Sequence, residues 1–259
     1  MPTSFWRSAD AVERLSRLDR AGFAAEFLRR NETYRRDFRR TARAVEAGHL
    51  SAEDGRSALA RRWGCLTAPN PDGPPGAEPV LWLAEISPAT LVLGAAPPGF
   101  EQTRPVELAR FGAVVADIAA RGRRQIAVRD HRGELQIALL SADALRRPAA
   151  IVPLDGALEM RIAALRRLTG RRRGGVGPPR AMRLKPLQRA RLIQLLRAHD
   201  IHAAGGGPRE IAAEVVGSAQ ARLPAVEWKD CAARRAANRL LRDAIGLVDG
   251  GYLALLRGQ

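Results

Sequence analysis

The chain has 259 residues, of which 46% are apolar, and this length holds one large domain or roughly two to three small ones. Lys and Arg (43) outnumber Asp and Glu (27). The formal net charge of +16 favours a polyanionic partner, nucleic acid first and an anionic membrane surface second. The two cysteines lack metal-ligand spacing, and we find neither a signal peptide nor an apolar run of roughly 20 residues. We therefore expect a cytoplasmic protein without a disulfide, a metal site or a membrane span.

Residues 1–64 are predicted to form a small N-terminal helical unit. Asp10 and Glu13 make a capping box for a first helix, Asn31 caps a second, and Ser51 begins a third that ends near residue 64. Arginine pairs occur at residues 29–30, 35–36 and 39–40. We expect these arginines to lie on solvated faces, and contact with phosphates is the alternative.

Residues 65–79 are rich in Pro and Gly, cannot form a helix and indicate a linker. A β-rich middle region follows at 80–155. Its patterns predict strands at 80–84 and 90–94, a helix at 104–120, and a hairpin at 125–140 with a four-residue connection. The buried face of that hairpin would be Ile126, Val128, Leu135, Ile137 and Leu139. We expect this region to be an adaptor that holds two helical units or contacts a protein partner.

The middle region offers little for catalysis. His131 lies beside Asp130 in a polar stretch, which is typical of a turn. No serine or cysteine nucleophile context, paired carboxylates or phosphate-cradling loop accompanies this pair. The sequence therefore predicts no catalytic residue, no metal ligand and no cofactor, and we do not expect an enzyme.

Positive charge is concentrated before the C-terminal region. Between residues 161 and 199 the chain carries 12 Arg and Lys and no carboxylate. Residues 156–183 should hold a helix at 157–169 and then a basic linker with Arg171, Arg172 and Arg173. We interpret this linker as an arm that lies along phosphates or enters a minor groove. A solvated linker is the alternative.

Residues 184–259 are predicted to form a variant of the helix-turn-helix. A helix at 186–199 precedes a short helix that begins at Pro208 and stops at Gly217. The buried positions would be Leu187, Leu192, Leu195 and Leu196 in the first, and Ile211, Ala212, Val215 and Val216 in the second. The connection at 218–227 far exceeds the usual turn of about three to four residues.

A longer helix, running from residue 227 through 242, is the predicted reading helix. The inner positions are Ala232, Ala233, Ala236, Ala237, Leu240, Ala244, Leu247 and Val248. The outer positions are Arg234, Arg235, Asn238 and Arg242, with Cys231 among them and Arg239 at the edge. Arg bonds guanine and Asn bonds adenine in the major groove. Lys229 and the helix N-terminus are expected to hold a phosphate, Arg209 joins the DNA-facing set, and Trp228 should dock into the core. A solvated basic helix is the alternative.

Several stretches together resemble a bacterial helix-turn-helix family of integrative and conjugative elements, first catalogued as a domain of unknown function. They are residues 184–193, 209–212, 227–229 and 250–256, the arginine-rich helix, and residues 19–37, which resemble an N-terminal transcriptional-regulator domain. Some members of this family resemble activators of an excisionase gene, and shorter members are anti-activators that bind the activator.

The resemblance makes Lys229, Arg234 and Arg239 the best-matched basic positions. Three residues depart from the family pattern: Cys231 replaces a hydroxyl residue, Ala233 a larger aliphatic residue and Arg235 an acid. Because this chain has both end modules, it is similar to the activator arrangement.

We therefore predict a mainly α fold with a small β-rich middle. It comprises an N-terminal helical unit, an antiparallel β insert and a C-terminal helix-turn-helix variant with a long inter-helix connection. The predicted function is sequence-specific DNA-binding regulation of transcription, with double-stranded DNA as partner and RNA polymerase or another regulator beside it. We expect it in the cytoplasm, at the nucleoid. The alternative is a protein-binding anti-activator without DNA binding. The oligomeric state and the operator are left open.

Overall fold

The computed structural model describes residues 8–120, 122–131, 133–171 and 177–259. A group of helices, a sheet and a second group of helices follow one another along the chain, as predicted. In the described residues the N-terminal group has four helices where three were expected, because the first predicted helix is divided into two. In the described part, no helix is both long and apolar enough to cross a membrane.

The N-terminal helices are α1 (Ala9–Ser16), α2 (Arg20–Leu28), α3 (Glu32–Glu46) and α4 (Ala52–Trp63). A side chain caps the N-terminus of each helix: Ser8, Asp19, Asn31 and Ser51. The predicted caps Asn31 and Ser51 are confirmed. The predicted capping box is wrong, because Ser8 caps α1 while Asp10 pairs with Arg14.

The expectation that the paired arginines are solvated is wrong for Arg29, Arg30 and Arg35, which are 4%, 4% and 8% exposed. Arg29 pairs with the buried Glu26 and donates to carbonyl oxygens of the proline-rich segment at 69–76. Arg35 pairs with Asp72 in the same segment. That segment is non-helical, as predicted, and these arginines fasten it against α2 and α3.

The middle region is a mixed sheet with strand order β2-β3-β4-β1-β5. Its strands are β1 (Leu91–Ala95), β2 (Ala113–Ala120), β3 (Arg123–Asp130), β4 (Gly133–Leu139) and β5 (Pro148–Ile151). Neighbouring strands are antiparallel except β1 and β4, which are parallel, so the predicted antiparallel insert is a mixed sheet. The predicted hairpin is β3 and β4, and its five predicted core residues are all buried. Its ladder reaches Asp130 and Gly133, so the connection is shorter than predicted.

Two other predictions for the middle region are wrong. Residues 80–84 form no strand, and Trp82 makes only an isolated bridge to Cys65. Residues 104–120 are not a helix: a 3-10 turn (Leu108–Phe111) leads through Gly112 into β2. Pairing with β3 overrides the helical spacing, because strand preference depends on neighbours that the local sequence does not contain.

The C-terminal helices begin with α5 (Leu158–Arg171), which confirms the predicted helix. Next come α6 (Pro186–Ala203) and α7 (Pro208–Ile211), and α7 continues as a π-helical turn (Ala212–Val216) to Gly217. A 3-10 turn (Ala219–Arg222) then leads to α8 (Ala225–Asp230), α9 (Ala232–Gly246), a second π-helical turn (Leu247–Gly251) and α10 (Tyr252–Leu256).

The N-terminal and C-terminal helices share one core. It includes Phe23 and Phe27 of α2, Leu196 of α6, Leu240 of α9 and Leu256 of α10. The sheet has its own core, formed by its inner face together with α5. The C-terminal unit is therefore not packed by itself, and the N-terminal helices complete its hydrophobic core.

Candidate nucleic-acid interface

The predicted reading helix is interrupted at Cys231. The residue is extended (φ −74°, ψ 155°), so α8 and α9 are separate helices where one continuous helix was expected. Its Sγ accepts from the N–H of Arg234 at 3.4 Å, and it is 8% exposed rather than outward-facing. Cys231 thus caps α9, at a position where a hydroxyl or carboxylate acceptor is usually preferred. This explains why the resemblance implies a hydroxyl residue here.

The N-terminus of α9 is largely occupied by the protein's own acceptors. Gln220 accepts from the N–H of Ala233 at 3.0 Å, and Cys231 takes the next N–H along the helix. Since helix N-termini bind anions through free N–H groups, the first turn of α9 offers few such groups to a phosphate. The predicted phosphate site lay at the start of the longer predicted helix, which belongs to α8 in the structure. Lys229 remains exposed on α8 and can meet a phosphate independently of the helix end.

The inner face of α9 follows the predicted pattern. Ala233, Ala237, Leu240 and Ala244 are buried, Ala236 and Leu247 are half-buried, and Val248 is buried in the turn beyond. Ala232 departs from the pattern, because it lies exposed in the first residue of the helix. The small side chains allow α9 to approach α6 and α7 closely, which are its packing partners.

Outside α9, two more positions predicted to be buried are exposed. Leu187 in the first turn of α6 is 85% exposed, and Val216 is 42% exposed. Val216 ends the π-helical turn, whose wider spacing rotates it away from the face that buries Ile211, Ala212 and Val215. The remaining predicted core positions of α6, Leu192, Leu195 and Leu196, are buried.

Two of the predicted DNA-facing arginines bind the preceding helix. The guanidinium of Arg234 donates to the carbonyl of Lys229 at 2.9 Å, and that of Arg235 donates to the carbonyl of Asp230 at 2.7 Å. These carbonyls lie at the C-terminal end of α8, where they lack helical partners and where positive charge is favourable. Arg234 and Arg235 therefore fix the junction between α8 and α9.

Asn238, Arg239 and Arg242 form the open part of the outer face. All three are exposed. Among the residues that the structure describes, their side chains have no hydrogen-bond or ion-pair partner. The neighbouring Asp243 pairs with Arg191 of α6 at 2.7 Å, so its charge is balanced within the protein. One face of α9 thus presents two guanidinium groups and one carboxamide to solvent.

Trp228 docks as predicted and is 9% exposed. The Arg209 guanidinium lies over its ring, 5.1 Å from the centroid, which is a cation–π geometry. Arg209, predicted to face DNA, is exposed and also links α7 to α8. The predicted arm begins at Arg171, the last residue of α5, while Arg172 and Arg173 lie outside the described residues.

A buried ion pair holds α6 against the N-terminal helices. Arg30 donates to both carboxylate oxygens of Asp200 at 2.7 Å and also pairs with Glu26. Burial alone would raise the pKa of Asp200, but the charge and hydrogen bonds of Arg30, together with the neighbouring His199, lower it to about 2. The same pairing raises the pKa of Arg30 against the effect of its burial. Both groups are therefore charged at neutral pH.

Two further hydrogen bonds connect the segments that follow α9 to the N-terminal helices. Asn31 donates to the carbonyl of Val248, just beyond α9, at 3.0 Å, and Arg20 donates to the carbonyl of Gln259 at 2.6 Å. Sequence reasoning missed these supports together with Gln220, Glu26 and Asp200. Only Glu26 left a visible signal, because a carboxylate inside the apolar run of α2 needs a buried partner, and arginines follow three and four residues later.

The comparisons with known proteins agree with this geometry. Residues 151–257, from the end of β5 through α10, match a family model described as "T6SS, Transcription factor, DNA binding domain". Residues 5–65 match a model described as "Proteobacterial transcriptional regulator-like domain". Residues 89–150 match a domain of unknown function (DUF7012). No curated protein matches the chain.

The class of protein follows from these matches and from the exposed donors of α9: the chain is a DNA-binding transcriptional regulator. The DNA-binding match includes α5 and residues 171–183 as well as the helix-turn-helix variant.

Proposed function

We propose that the chain is a sequence-specific transcriptional activator that reads bases in the major groove through α9. The observation that carries this proposal is the open row of Asn238, Arg239 and Arg242 on a helix whose opposite face is buried. Arg bonds O6 and N7 of guanine bidentately, and Asn bonds N6 and N7 of adenine. A row of such donors is suited to a short run of neighbouring base pairs.

The other basic residues have supporting roles in this proposal. Arg234 and Arg235 hold α9 at its angle to α8, and Lys229 contacts a phosphate beside the reading helix. Arg171, Arg172 and Arg173 add affinity for the backbone without sequence preference, because phosphate contacts position a protein while base contacts specify the site.

The biological setting rests on the resemblance to regulators of integrative and conjugative elements. In this setting the protein activates a gene for excision or transfer of a mobile element, in the cytoplasm at the nucleoid. It acts through binding, without catalysis and without a cofactor. The N-terminal unit and the middle sheet remain available for RNA polymerase or another regulator.

Selection of binding sites from a random duplex library tests the proposal and identifies the operator in the same experiment. The wild-type protein should enrich one motif. Asn238→Ala should cost about 1–3 kcal/mol on that motif and relax the preference at one base pair, and Arg242→Ala should do so at another. Arg110→Ala is the matched control, since Arg110 is exposed and lies in the middle region.

An unchanged motif in both α9 variants would refute the assignment of the reading helix. If no motif is enriched and the protein instead co-purifies with a second regulator, it is an anti-activator type of protein.

A further inference from the structure

A second basic surface lies on α3, outside the helix-turn-helix variant. Arg36, Arg39, Arg40 and Arg43 are spaced i, i+3, i+4 and i+7, so they share one face of the helix, and all four are exposed. We call them the α3 stripe. At about 1.5 Å of rise per residue, the stripe extends over roughly 10 Å.

Nearby carboxylates neutralise only half of the stripe. Arg40 pairs with Asp37, a carboxylate that Arg62 of α4 also contacts, and Arg39 pairs with Asp72. Arg36 donates only to the hydroxyl of Thr33, and within the described part of the chain neither Arg36 nor Arg43 pairs with a carboxylate.

The arrangement does not stabilise the helix itself. Arg36 and Arg40 are like charges four residues apart, and so are Arg39 and Arg43. Such pairs destabilise a helix by about 0.2–0.5 kcal/mol each. An exposed face with this cost and with unpaired guanidinium groups is suited to an anionic partner.

The position of α3 relates the stripe to α9. Asn31, the N-cap of α3, donates to the carbonyl of Val248 in the turn directly after α9. The first turn of α3 is anchored in the shared core by Tyr34, and beyond it α3 packs on α4. The α3 stripe therefore begins near the C-terminal end of α9 and continues away from it.

We propose that the α3 stripe contacts the backbone phosphates of the DNA that flanks the bases read by α9. This proposal rests on the proposed DNA-reading role of α9. Duplex DNA carries about one charge per 1.7 Å of axis, so the stripe can face several phosphates at once. Guanidinium groups bind phosphate oxygens bidentately, which suits a row of exposed arginines.

The test is the double variant Arg36→Ala, Arg43→Ala, measured on a duplex with the selected motif and long flanks, and on a random-sequence duplex. Losing two phosphate contacts should reduce the slope of log K against log salt by about 1.8. If the variant and the wild type bind equally at 1 M salt, then at 0.1 M salt the variant should bind about 8-fold more weakly for each arginine removed, on both duplexes. The preference for the motif should remain, and nuclease protection should shorten on one flank only.

Two matched variants separate a phosphate contact from a general charge effect. Arg110→Ala, Arg146→Ala removes the same charge from exposed pairs of the middle region, and it should leave the slope nearly unchanged. Arg36→Lys, Arg43→Lys should keep the wild-type slope, because Lys also binds phosphate as a point charge. Thermal melting verifies that each variant is folded.

Equal salt slopes for the alanine double variant and its charge control would overturn the proposal. So would normal DNA binding with loss of transcription activation, since the stripe would then contact a protein. The proposed function is tested separately. If no motif is enriched, α9 does not read bases. A reduced salt slope on the random-sequence duplex would still support phosphate contacts by the α3 stripe.

Discussion

Asp200→Asn removes the charge that ties α6 to the N-terminal helices and leaves the side-chain shape nearly unchanged. In the wild type, Arg30 bonds both oxygens of Asp200 at 2.7 Å, and their side chains are 3% and 16% exposed. The variant leaves Arg30 with Glu26 as its charged partner. Because this contact joins two elements of one shared core, we expect its loss to destabilise the whole chain.

The magnitude follows from the pKa of Asp200, which Arg30 and the neighbouring His199 together lower from 3.8 to about 2 against the effect of burial. At 1.36 kcal/mol per pH unit, this difference corresponds to about 2.5 kcal/mol at neutral pH. Breaking a buried pair by removing one partner costs about 3–5 kcal/mol in other proteins, so about 2–4 kcal/mol is expected here. For a chain of this size, the melting temperature should fall by about 5–15 °C.

The effect of the substitution should depend on pH in a defined direction. Because the folded-state pKa of Asp200 is depressed, its contribution is complete above the unfolded pKa near 3.8 and is lost as pH falls toward 2. The difference in unfolding free energy between wild type and variant should be constant from pH 7 to 5. At pH 3 it should shrink to about half of this value.

Urea denaturation followed by circular dichroism at pH 7, 5 and 3 measures these differences. Asp243→Asn is the matched control, because Asp243 also pairs with an arginine, Arg191, at 2.7 Å, but both side chains are about half exposed. A surface pair contributes about 0–1 kcal/mol. Equal losses in the two variants, or a loss at Asp200 that does not shrink at low pH, would refute the reasoning.

Three further predictions concern single residues. Cys231→Ser should be more stable than Cys231→Ala by about 1 kcal/mol in urea unfolding, since Ser retains the acceptor that caps α9, and equal stability would contradict the cap. Burial raises the pKa of the Cys65 thiol to about 12, so in a Cys231→Ser background it should resist a disulfide reagent at pH 8 until urea is added. Rapid labelling of the folded protein would show that the thiol is accessible. A Cβ at Gly112 would lie 2.3 Å from a carbonyl oxygen of β3, with φ at +130°, so Gly112→Ala should cost about 3 kcal/mol or more. Gly99→Ala, which has a positive φ but open space, should cost only about 1 kcal/mol, and the same cost at both glycines would refute the clash.

Features that depend on near neighbours in the chain could be predicted from the sequence. Asn31 and Ser51 cap their helices because an N-cap bonds an N–H group within the next three residues. The hairpin of β3 and β4 and the alanine-lined face of α9 follow from side-chain periodicity alone. The exposed donors Asn238 and Arg242 were visible for the same reason.

Other features depended on partners distant in the chain and required the tertiary structure. Arg30 is buried because it pairs with Asp200, 170 residues away, and the only local sign of this burial is Glu26 in the apolar run of α2. Residues 113–120 form β2 because β3 offers a backbone ladder that outweighs weak helical spacing. Periodicity predicts one continuous helix through Cys231, but hydrogen bonds to Gln220 and from the arginines of α9 stabilise a break in the helix at this residue. Periodicity identified the outward-facing positions of α9, whereas hydrogen bonds across the junction with α8 determined which arginines among them stay free to meet DNA.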